Sequence, residues 1–176
     1  DGSGEFNLMN LNDSDATQEF GAFNFMQSTS PTSSVFYTDG QTEMNASGGT
    51  FVAYCFAEIE GYSKIGKYTG NGNSDGTFIY TGFKTSWVMY KNTSSTSNWI
   101  LRDNKRTTSG GTNVNGTVLL PNSTSAESTN DSATAIDLLS NGFKIRNTEN
   151  NDNTSGNTYI YMAFASNPFV DSNGVP

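Results

Sequence analysis

Apolar residues occur along the chain in short blocks that are separated by turn-forming Asn, Gly, Ser and Thr. The longest block, FVAYCFAEI at Phe51–Ile59, is nearly continuous, which predicts a strand buried on both faces. A second block, YIYMAFA at Tyr159–Ala165, has the same character. Short blocks that recur every ~10–20 residues are typical of an all-β sandwich or barrel.

Two pairs of blocks are separated by polar turn sequences. Lys64–Thr69 and Phe78–Tyr80 flank the stretch GNGNSDG, which predicts a hairpin connection. Trp87–Tyr90 and Trp99–Leu101 flank KNTSSTSN and predict a second hairpin. These four blocks therefore favour antiparallel pairing.

The stretch Ser132–Leu139 has two interpretations. It is either one or two helical turns that stop at Asn141 and Gly142, or a strand at Ala135–Leu139 that leads into an Asn-Gly turn. We favour the strand because the apolar block Phe143–Ile145 follows directly. Val118–Leu120 is a further candidate strand.

The chain also repeats itself. EMNASGGTFVAYCFAE at Glu43–Glu58 reappears as NDNTSGNTYIYMAFAS at Asn151–Ser166. Upstream, LMNLNDSDA at Leu8–Ala16 matches VLLPNSTSA at Val118–Ala126 at nearly the same spacing. A repeat of this length fits a small β-domain or half of a larger sandwich. We therefore predict an internal duplication, with a truncated first repeat at 1–72 and a second at 73–176, either separate or packed as one sandwich.

The first repeat is shorter than the second. The register places Asp1 opposite Gly111, so the first repeat has no counterpart of Thr77–Gly110, where both Trp87 and Trp99 lie. We expect the chain to be the C-terminal piece of a longer polypeptide. The alternative is a first lobe that closes differently.

The composition of the chain argues against nucleic acids and membranes as partners. Charged residues make up 15% of the chain, the formal net charge is −8, and the densest basic run is only Arg102, Lys105 and Arg106. Nucleic-acid binding needs clustered Lys and Arg, so it is disfavoured. No stretch approaches the ~18 consecutive apolar residues of a membrane span, so no membrane insertion is expected.

The chain contains no histidine, which removes catalytic triads, imidazole bases and the usual Cys/His zinc sites. Cys55 is the single cysteine, so no internal disulfide is available. Because it lies inside an apolar block, we predict a buried small side chain and not a reactive thiol. No catalytic, cofactor-binding or metal-binding residue is assigned.

Acidic and amide-rich residues still allow two kinds of site, a glycosidase site and a calcium site. Glu58 and Glu60 would share one strand face as a glycosidase pair, and Asp103 lies near Trp99. The plainer interpretation of Glu58 and Glu60 is a solvated strand end. Asn71–Gly76 resembles the start of a calcium loop, but its first residue is Asn and its twelfth position is Gly82. A polar turn is favoured there, as it is around Asp152.

Five aromatic residues are candidates for stacking on sugar rings. Aromatic residues in strands more often belong to the core, which is the interpretation that we favour. The five are Tyr68, Tyr80, Trp87, Tyr90 and Trp99.

Several strings of the sequence resemble those of a known family. They are GGTFVAYCFAEIEGYSKIGKYTGNG at Gly48–Gly72, DGTFIYTGFKTSWVMYK at Asp75–Lys91, DLLSNGFK at Asp137–Lys144 and GNTYIYMAFASNPF at Gly156–Phe169. Together they resemble a family of virion-associated proteins of tailed bacteriophages, many of them marine. The resemblance covers nearly everything from about Pro31 onward. It departs from the family pattern at Lys84-Thr85-Ser86, where an Arg-Pro-Ala type of segment is usual.

The resemblance implies a jelly-roll or concanavalin-like sandwich and a structural or tail-fibre-like role, with no catalytic residues to carry over. We therefore expect a non-enzymatic virion protein on the surface of the extracellular particle: a fibre, a capsid decoration or a tail-associated module. A carbohydrate- or receptor-binding tail-fibre module is the alternative, and a glycan depolymerase a third hypothesis. The expected partners are other virion proteins, identical copies in a trimer, and a host surface glycan, with no cofactor.

Overall fold

A computed structural model describes residues 7–19, 31–38, 42–106, 114–128 and 136–168. The chain divides into two compact units, one made of Asp1–Met9 and Thr17–Phe56 and the other of Asn10–Ala16 and Ala57–Pro176. In chain order the elements are β1 (Asn7–Leu8), β2 (Gln18–Glu19), α1 (Thr42–Asn45), β3 (Ser63–Thr69), β4 (Phe78–Tyr80), β5 (Thr85–Asn92), β6 (Ile100–Asp103), β7 (Val114–Asn115), β8 (Ile136–Leu139), β9 (Gly142–Ile145) and β10 (Thr158–Ala165).

The second unit contains two four-stranded antiparallel sheets, in the orders β3-β10-β5-β6 and β4-β9-β8-β7. The prediction of an all-β antiparallel fold is confirmed. One turn of helix, α1, is the helical content of the described ranges, and none of their helices has the length and apolarity to cross a membrane.

The two sheets contribute side chains to one core. The ring of Phe143 on β9 lies 5.5 Å from that of Tyr161 on β10 and 6.4 Å from that of Tyr68 on β3. The first sheet provides Tyr68, Val88, Tyr90, Ile100, Tyr159, Tyr161 and Ala163, and the second provides Ile79, Ile136, Leu138, Phe143 and Ile145.

Strand β10 confirms the prediction at Tyr159–Ala165 and is central to its sheet. It pairs with β3 on one side (Tyr159 opposite Tyr68) and with β5 on the other (Tyr161 opposite Tyr90). Its burial alternates, however: Tyr159, Tyr161 and Ala163 are buried, whereas Ile160 is exposed. Only one face of this sheet is covered by the other sheet, so the double-sided burial expected for this apolar type of block is wrong here.

The predicted buried strand at Phe51–Ile59 is wrong. Residues 51–58 belong to no strand, Ile59 makes only an isolated bridge with Ser63, and Val52 and Tyr54 are 75% and 84% exposed. An apolar block becomes a buried strand only where neighbouring strands satisfy its backbone and a core covers its side chains. β10 has such neighbours in β3 and β5, and the same sequence pattern at 51–58 does not.

Two of the predicted antiparallel pairs are confirmed. β5 and β6 pair antiparallel, with Tyr90 opposite Ile100, and β8 leads through Asn141 into β9, as the strand interpretation predicted. Residues 132–135 lie outside the described residues. The Val118–Leu120 candidate forms only bridges, Leu119 with Leu101 and Val118 with Ser128.

The predicted β3–β4 hairpin across GNGNSDG is wrong. β3 pairs with β10 and β4 pairs with β9, so the connection carries the chain from one sheet to the other. The N–H of Gly70 donates to the Asn157 carbonyl and that of Gly76 to the Ile145 carbonyl, 2.9 and 3.1 Å away. The Thr77 hydroxyl donates to the Thr69 carbonyl at 2.7 Å, but β3 and β4 do not pair, and the backbone of the connection is held by other loops and strands.

Some local geometry in the first unit recurs in the second at the spacing of the sequence repeat. Leu8 pairs with Gln18, and at the equivalent positions of the second repeat Val118 pairs with Ser128, in both cases antiparallel. Gly48 and Gly156 have φ of 76° and 80°. The hydrogen bond of the surrounding turn also recurs, from the Gly49 N–H to the Ala46 carbonyl and from the Asn157 N–H to the Thr154 carbonyl, at 2.9 and 3.1 Å.

Candidate functional site

An open groove of about 330 Å³ lies beside the turn that precedes β3 and the end of β4. It contains both carboxylates that the sequence singled out as a pair and one of the five candidate aromatic residues. Its lining residues are Glu58, Glu60, Gly61, Ser63, Lys64, Tyr80, Thr81 and Gly82.

A tight chain reversal forms one wall of the groove. The Ser63 N–H donates to the Ile59 carbonyl at 2.9 Å, and Gly61 within the turn has a φ of 75°, which glycine adopts without strain. The buried Ser63 hydroxyl donates to the Ala57 carbonyl at 2.8 Å. The reversal thus places Glu58 beside Lys64.

Two charges on this wall, those of Glu58 and Lys64, are paired. Lys64 Nζ lies 2.9 Å from Glu58 Oε2, and the Ile65 N–H donates to Glu58 Oε1 at 3.3 Å. The hydrogen bond from Lys64 lowers the pKa of Glu58, and the same bond raises the pKa of Lys64. A glycosidase acid needs a raised pKa, so Glu58 is held as a hydrogen-bond acceptor and not as a proton donor.

Tyr80 is the aromatic residue of the groove lining. Along β4 the side chains alternate: Ile79 is buried in the core, whereas Phe78 and Tyr80 face outward, and Tyr80 is 64% exposed. An exposed phenol ring offers an apolar face with a polar edge. The carboxylates and Lys64 add hydrogen-bond acceptors and donors beside this ring.

The other candidate aromatic residues serve the fold. Tyr68 and Tyr90 are buried, and so is Trp99, whose indole N–H donates to the Asn10 carbonyl at 2.9 Å. Trp87 is half-buried against Phe164, with ring centroids 5.5 Å apart. The core interpretation is therefore confirmed for Tyr68, Tyr90 and Trp99.

Asn71–Gly76 uses its oxygens in hydrogen bonds. Asn71 Oδ1 accepts from the Asn73 N–H and Asn73 Oδ1 from the Asp75 N–H, at 3.0 and 2.8 Å. Asp75 forms an ion pair with Lys144 at 2.6 Å, and the hydrogen bond from Lys144 lowers its pKa. In the described ranges no cluster of three or more Asp, Glu or Cys side chains is placed to hold a metal ion.

Asn153 holds this loop in place. Its side-chain amide donates to the carbonyls of Asn73 and Asn147 at 2.8 Å each, while its oxygen accepts from the Asn71 N–H at 3.0 Å. The loop is built as a polar turn tied to its neighbours.

A buried polar cluster, formed by Arg102, Tyr90 and Asp152, lies between the sheets. The Tyr90 hydroxyl donates a hydrogen bond to Asp152 Oδ1 and accepts one from Arg102 Nε at 3.0 Å. Arg102 Nη1 also donates to the carbonyls of Asn115 and Thr117, at 3.0 and 3.2 Å. The cluster joins β5, β6, β7 and the loop before β10. Its charged side chains therefore hold these elements together.

Sequence reasoning missed this cluster, although a signal was present. Ile100 and Arg102 alternate with Leu101 and Asp103 on β6, so the period of two places Arg102 on the same inward face as Ile100. Lys91 was also missed. It is buried, donates to the Asn92 carbonyl at 2.9 Å, and has its pKa lowered by burial.

Two further sequence hypotheses have a clear structural outcome. Asp103 does not reach the groove: its Oδ1 accepts from the N–H groups of Lys105 and Arg106, at 2.8 and 3.0 Å. Cys55 was predicted to be buried and is exposed, because the block that contains it is not a strand.

Residues 3–168 match DUF7483, a domain of unknown function, so the chain belongs to this family. Comparison with curated proteins gives no match, and neither does comparison with solved structures.

Proposed function

We propose that this DUF7483 chain is a non-enzymatic structural module of a bacteriophage virion: a fibre, a capsid decoration or a tail-associated part on the particle surface. The observation that carries the proposal is the recurrence of local geometry. The Leu8–Gln18 and Val118–Ser128 pairs, and the turns around Gly48 and Gly156, have the same spacing as the sequence repeat. Repetition of one scaffold is a property of architecture.

The same recurrence supports an internal duplication. The finer classification as a jelly-roll or concanavalin-like sandwich has support from eight strands in two four-stranded sheets, with connections that cross between the sheets. The neighbouring pairs β5–β6 and β8–β9 are simple hairpins. An experimental structure compared with jelly rolls tests the classification by its strand order.

The virion role draws support from the resemblance of Gly48–Gly72 and Asp75–Lys91 to phage virion proteins, and from the use of buried charges in the scaffold. Arg102 donates to a hydroxyl and to two carbonyls, which link strands. The test is mass spectrometry of purified particles of the encoding phage, followed by cryo-electron microscopy. Absence of the chain from washed particles contradicts the proposal.

The proposed partners are other virion proteins and identical copies, with a trimer as the expected assembly. Light scattering of the released assembly measures this directly. If the released protein is always a monomer, the trimer is contradicted. The virion role is tested separately, by mass spectrometry of the particles.

Glycan binding in the groove is a second candidate function, favoured by the exposed Tyr80 beside Glu58 and Lys64. Glycan-array binding tests it with a matched pair of variants. Tyr80→Ala is expected to lower binding roughly tenfold, equal to a loss of about 1.4 kcal/mol. Phe78→Ala, on the same outward face of β4 but outside the groove lining, is expected to bind as the unchanged chain does. Equal binding by both variants rules out the groove.

A further inference from the structure

Residues 51–55, which we name the exposed segment, form an apolar stretch that the structure places in no strand. Phe51, Ala53 and Cys55 are exposed, and so are Val52 and Tyr54 between them. Exposed contiguous apolar surface of this kind marks an interaction site. Comparison with β10 indicates which partner would cover the exposed segment.

The exposed segment has the sequence pattern of β10 and leaves the same turn. Gly48 and Gly156 share a left-handed conformation, and each turn is closed by an equivalent backbone hydrogen bond. In the alignment of the two repeats, Phe51, Ala53 and Cys55 correspond to three β10 residues that face the core. Those residues are Tyr159, Tyr161 and Ala163.

The place of β10 in its sheet shows what such a strand requires. β10 lies between β3 and β5, and its backbone pairs with β3 from Thr158 to Phe164 and with β5 from Tyr159 to Ala165. A strand of this sequence therefore needs two antiparallel neighbours of the β3 and β5 type. In this chain β10 already lies between those two strands.

We propose that the exposed segment is a docking strand for a further copy of residues 57–106 that has no β10 of its own, and that it inserts between the β3 and β5 strands of that copy. This inference rests on the proposed duplication and deepens it, because it states how successive modules join. In the β10 register, Phe51 lies opposite the Tyr68 and Asn92 positions of the second copy. Phe51, Ala53 and Cys55 then face the core, as their β10 counterparts do.

The test attaches a second copy of residues 57–110 to the N-terminus of the complete chain. The repeat register makes this junction continuous, because Asp1 corresponds to Gly111. Cys55 is the single cysteine of the chain, and residues 57–110 add none, so one thiol reports on the exposed segment in both proteins. The readout is the rate of its reaction with a disulfide reagent.

The thiol of the complete chain alone is expected to react as an exposed cysteine. In the fusion the rate is expected to fall tenfold or more, since a tenfold change equals about 1.4 kcal/mol of protection against opening. Hydrogen exchange at residues 51–55 is expected to slow in parallel. Slow exchange at residues 159–164 serves as the internal standard that the fusion is folded.

A matched control fusion carries Val88→Asp and Tyr90→Asp in the attached copy only, which prevents its β5-like strand from packing. Cys55 is expected to keep the fast rate in this control. A folded fusion with an unchanged Cys55 rate overturns the proposal, and so does equal protection in the control fusion. Neither result bears on whether the chain is found in virions, so failure here is distinct from failure of the proposed function.

Discussion

At the residue scale, strand alternation explains the position of one buried charge, that of Arg102. Arg102 faces inward because Ile100, two residues earlier on β6, does so too. Its position was therefore predictable from a correct strand assignment. Its partner was not, because Asp152 comes from a loop far along the sequence, and only the folded chain brings that loop to β5 and β6.

Tyr90→Phe tests the buried cluster. The Tyr90 hydroxyl donates a hydrogen bond to Asp152 and accepts one from Arg102. Its removal therefore takes one hydrogen bond from each of two charged groups in the interior. We expect a loss of roughly 2–3 kcal/mol in the free energy of unfolding, measured with urea. Tyr68→Phe is the control, because its hydroxyl donates only to the Asp152 carbonyl and its loss is expected to cost about 1 kcal/mol. Equal losses in the two variants contradict the role of the charges.

The buried tyrosines also predict how stability depends on alkaline pH. Burial raises the pKa of Tyr68 and of Tyr90 well above the ordinary value of 10.0. Above that value the unfolded chain loses these protons while the folded chain keeps them, so stability is present below pH 10 and falls as pH rises further. Each such tyrosine contributes about 1.4 kcal/mol per pH unit to the slope.

Urea unfolding between pH 9 and 11 measures this slope, and Tyr68→Phe isolates one contribution. The variant is expected to lose less stability per pH unit above pH 10 than the unchanged chain. The same slope in both proteins rejects the assignment of this pH dependence to Tyr68.

At the scale of elements, turn chemistry predicted pairing only where the turn closes on its own strands. The Asn-Gly step between β8 and β9 and the polar loop between β5 and β6 do so. The connection at 70–77 has similar residues but bonds instead to Asn153, Asn157 and Ile145. Sequence windows do not contain these distant partners, which explains the wrong hairpin there.

Gly142 tests an element contact that no sequence pattern shows. A Cβ on Gly142 would overlap the backbone carbonyl of Ile79 on the neighbouring strand β4. We expect Gly142→Ala to cost roughly 3 kcal/mol by separating β4 from β9. Gly156→Ala is the comparison, because its Cβ meets open space and only the left-handed backbone is strained, at about 1 kcal/mol. Thermal unfolding of both variants measures the difference, and a smaller loss for Gly142→Ala contradicts it.

At the scale of the whole molecule, one sequence pattern has two structural outcomes. Tyr159–Ala165 is a strand with two neighbours, whereas residues 51–57 are exposed and form no strand. The groove at Tyr80 likewise depends on the whole fold, because the sequence paired Glu58 with Glu60 but did not bring Tyr80 to them. The local sequence pattern shows which side chains of a segment are able to be buried. Whether they are buried depends on the neighbouring strands of the assembled sheets.

Phe51→Ala and Tyr159→Ala test this difference with equivalent positions of the repeat. Tyr159 is fully buried in the core between β3 and β5, so its truncation is expected to cost roughly 3–5 kcal/mol of unfolding free energy. Phe51 is exposed, so its truncation is expected to stay within about 0.5 kcal/mol. Denaturant unfolding of the complete chain measures both values, with circular dichroism reporting on both units. A large loss from Phe51→Ala in the chain alone shows that the first unit already buries this residue, whereas a large loss only when a second copy is attached means that the burial comes from the neighbouring module.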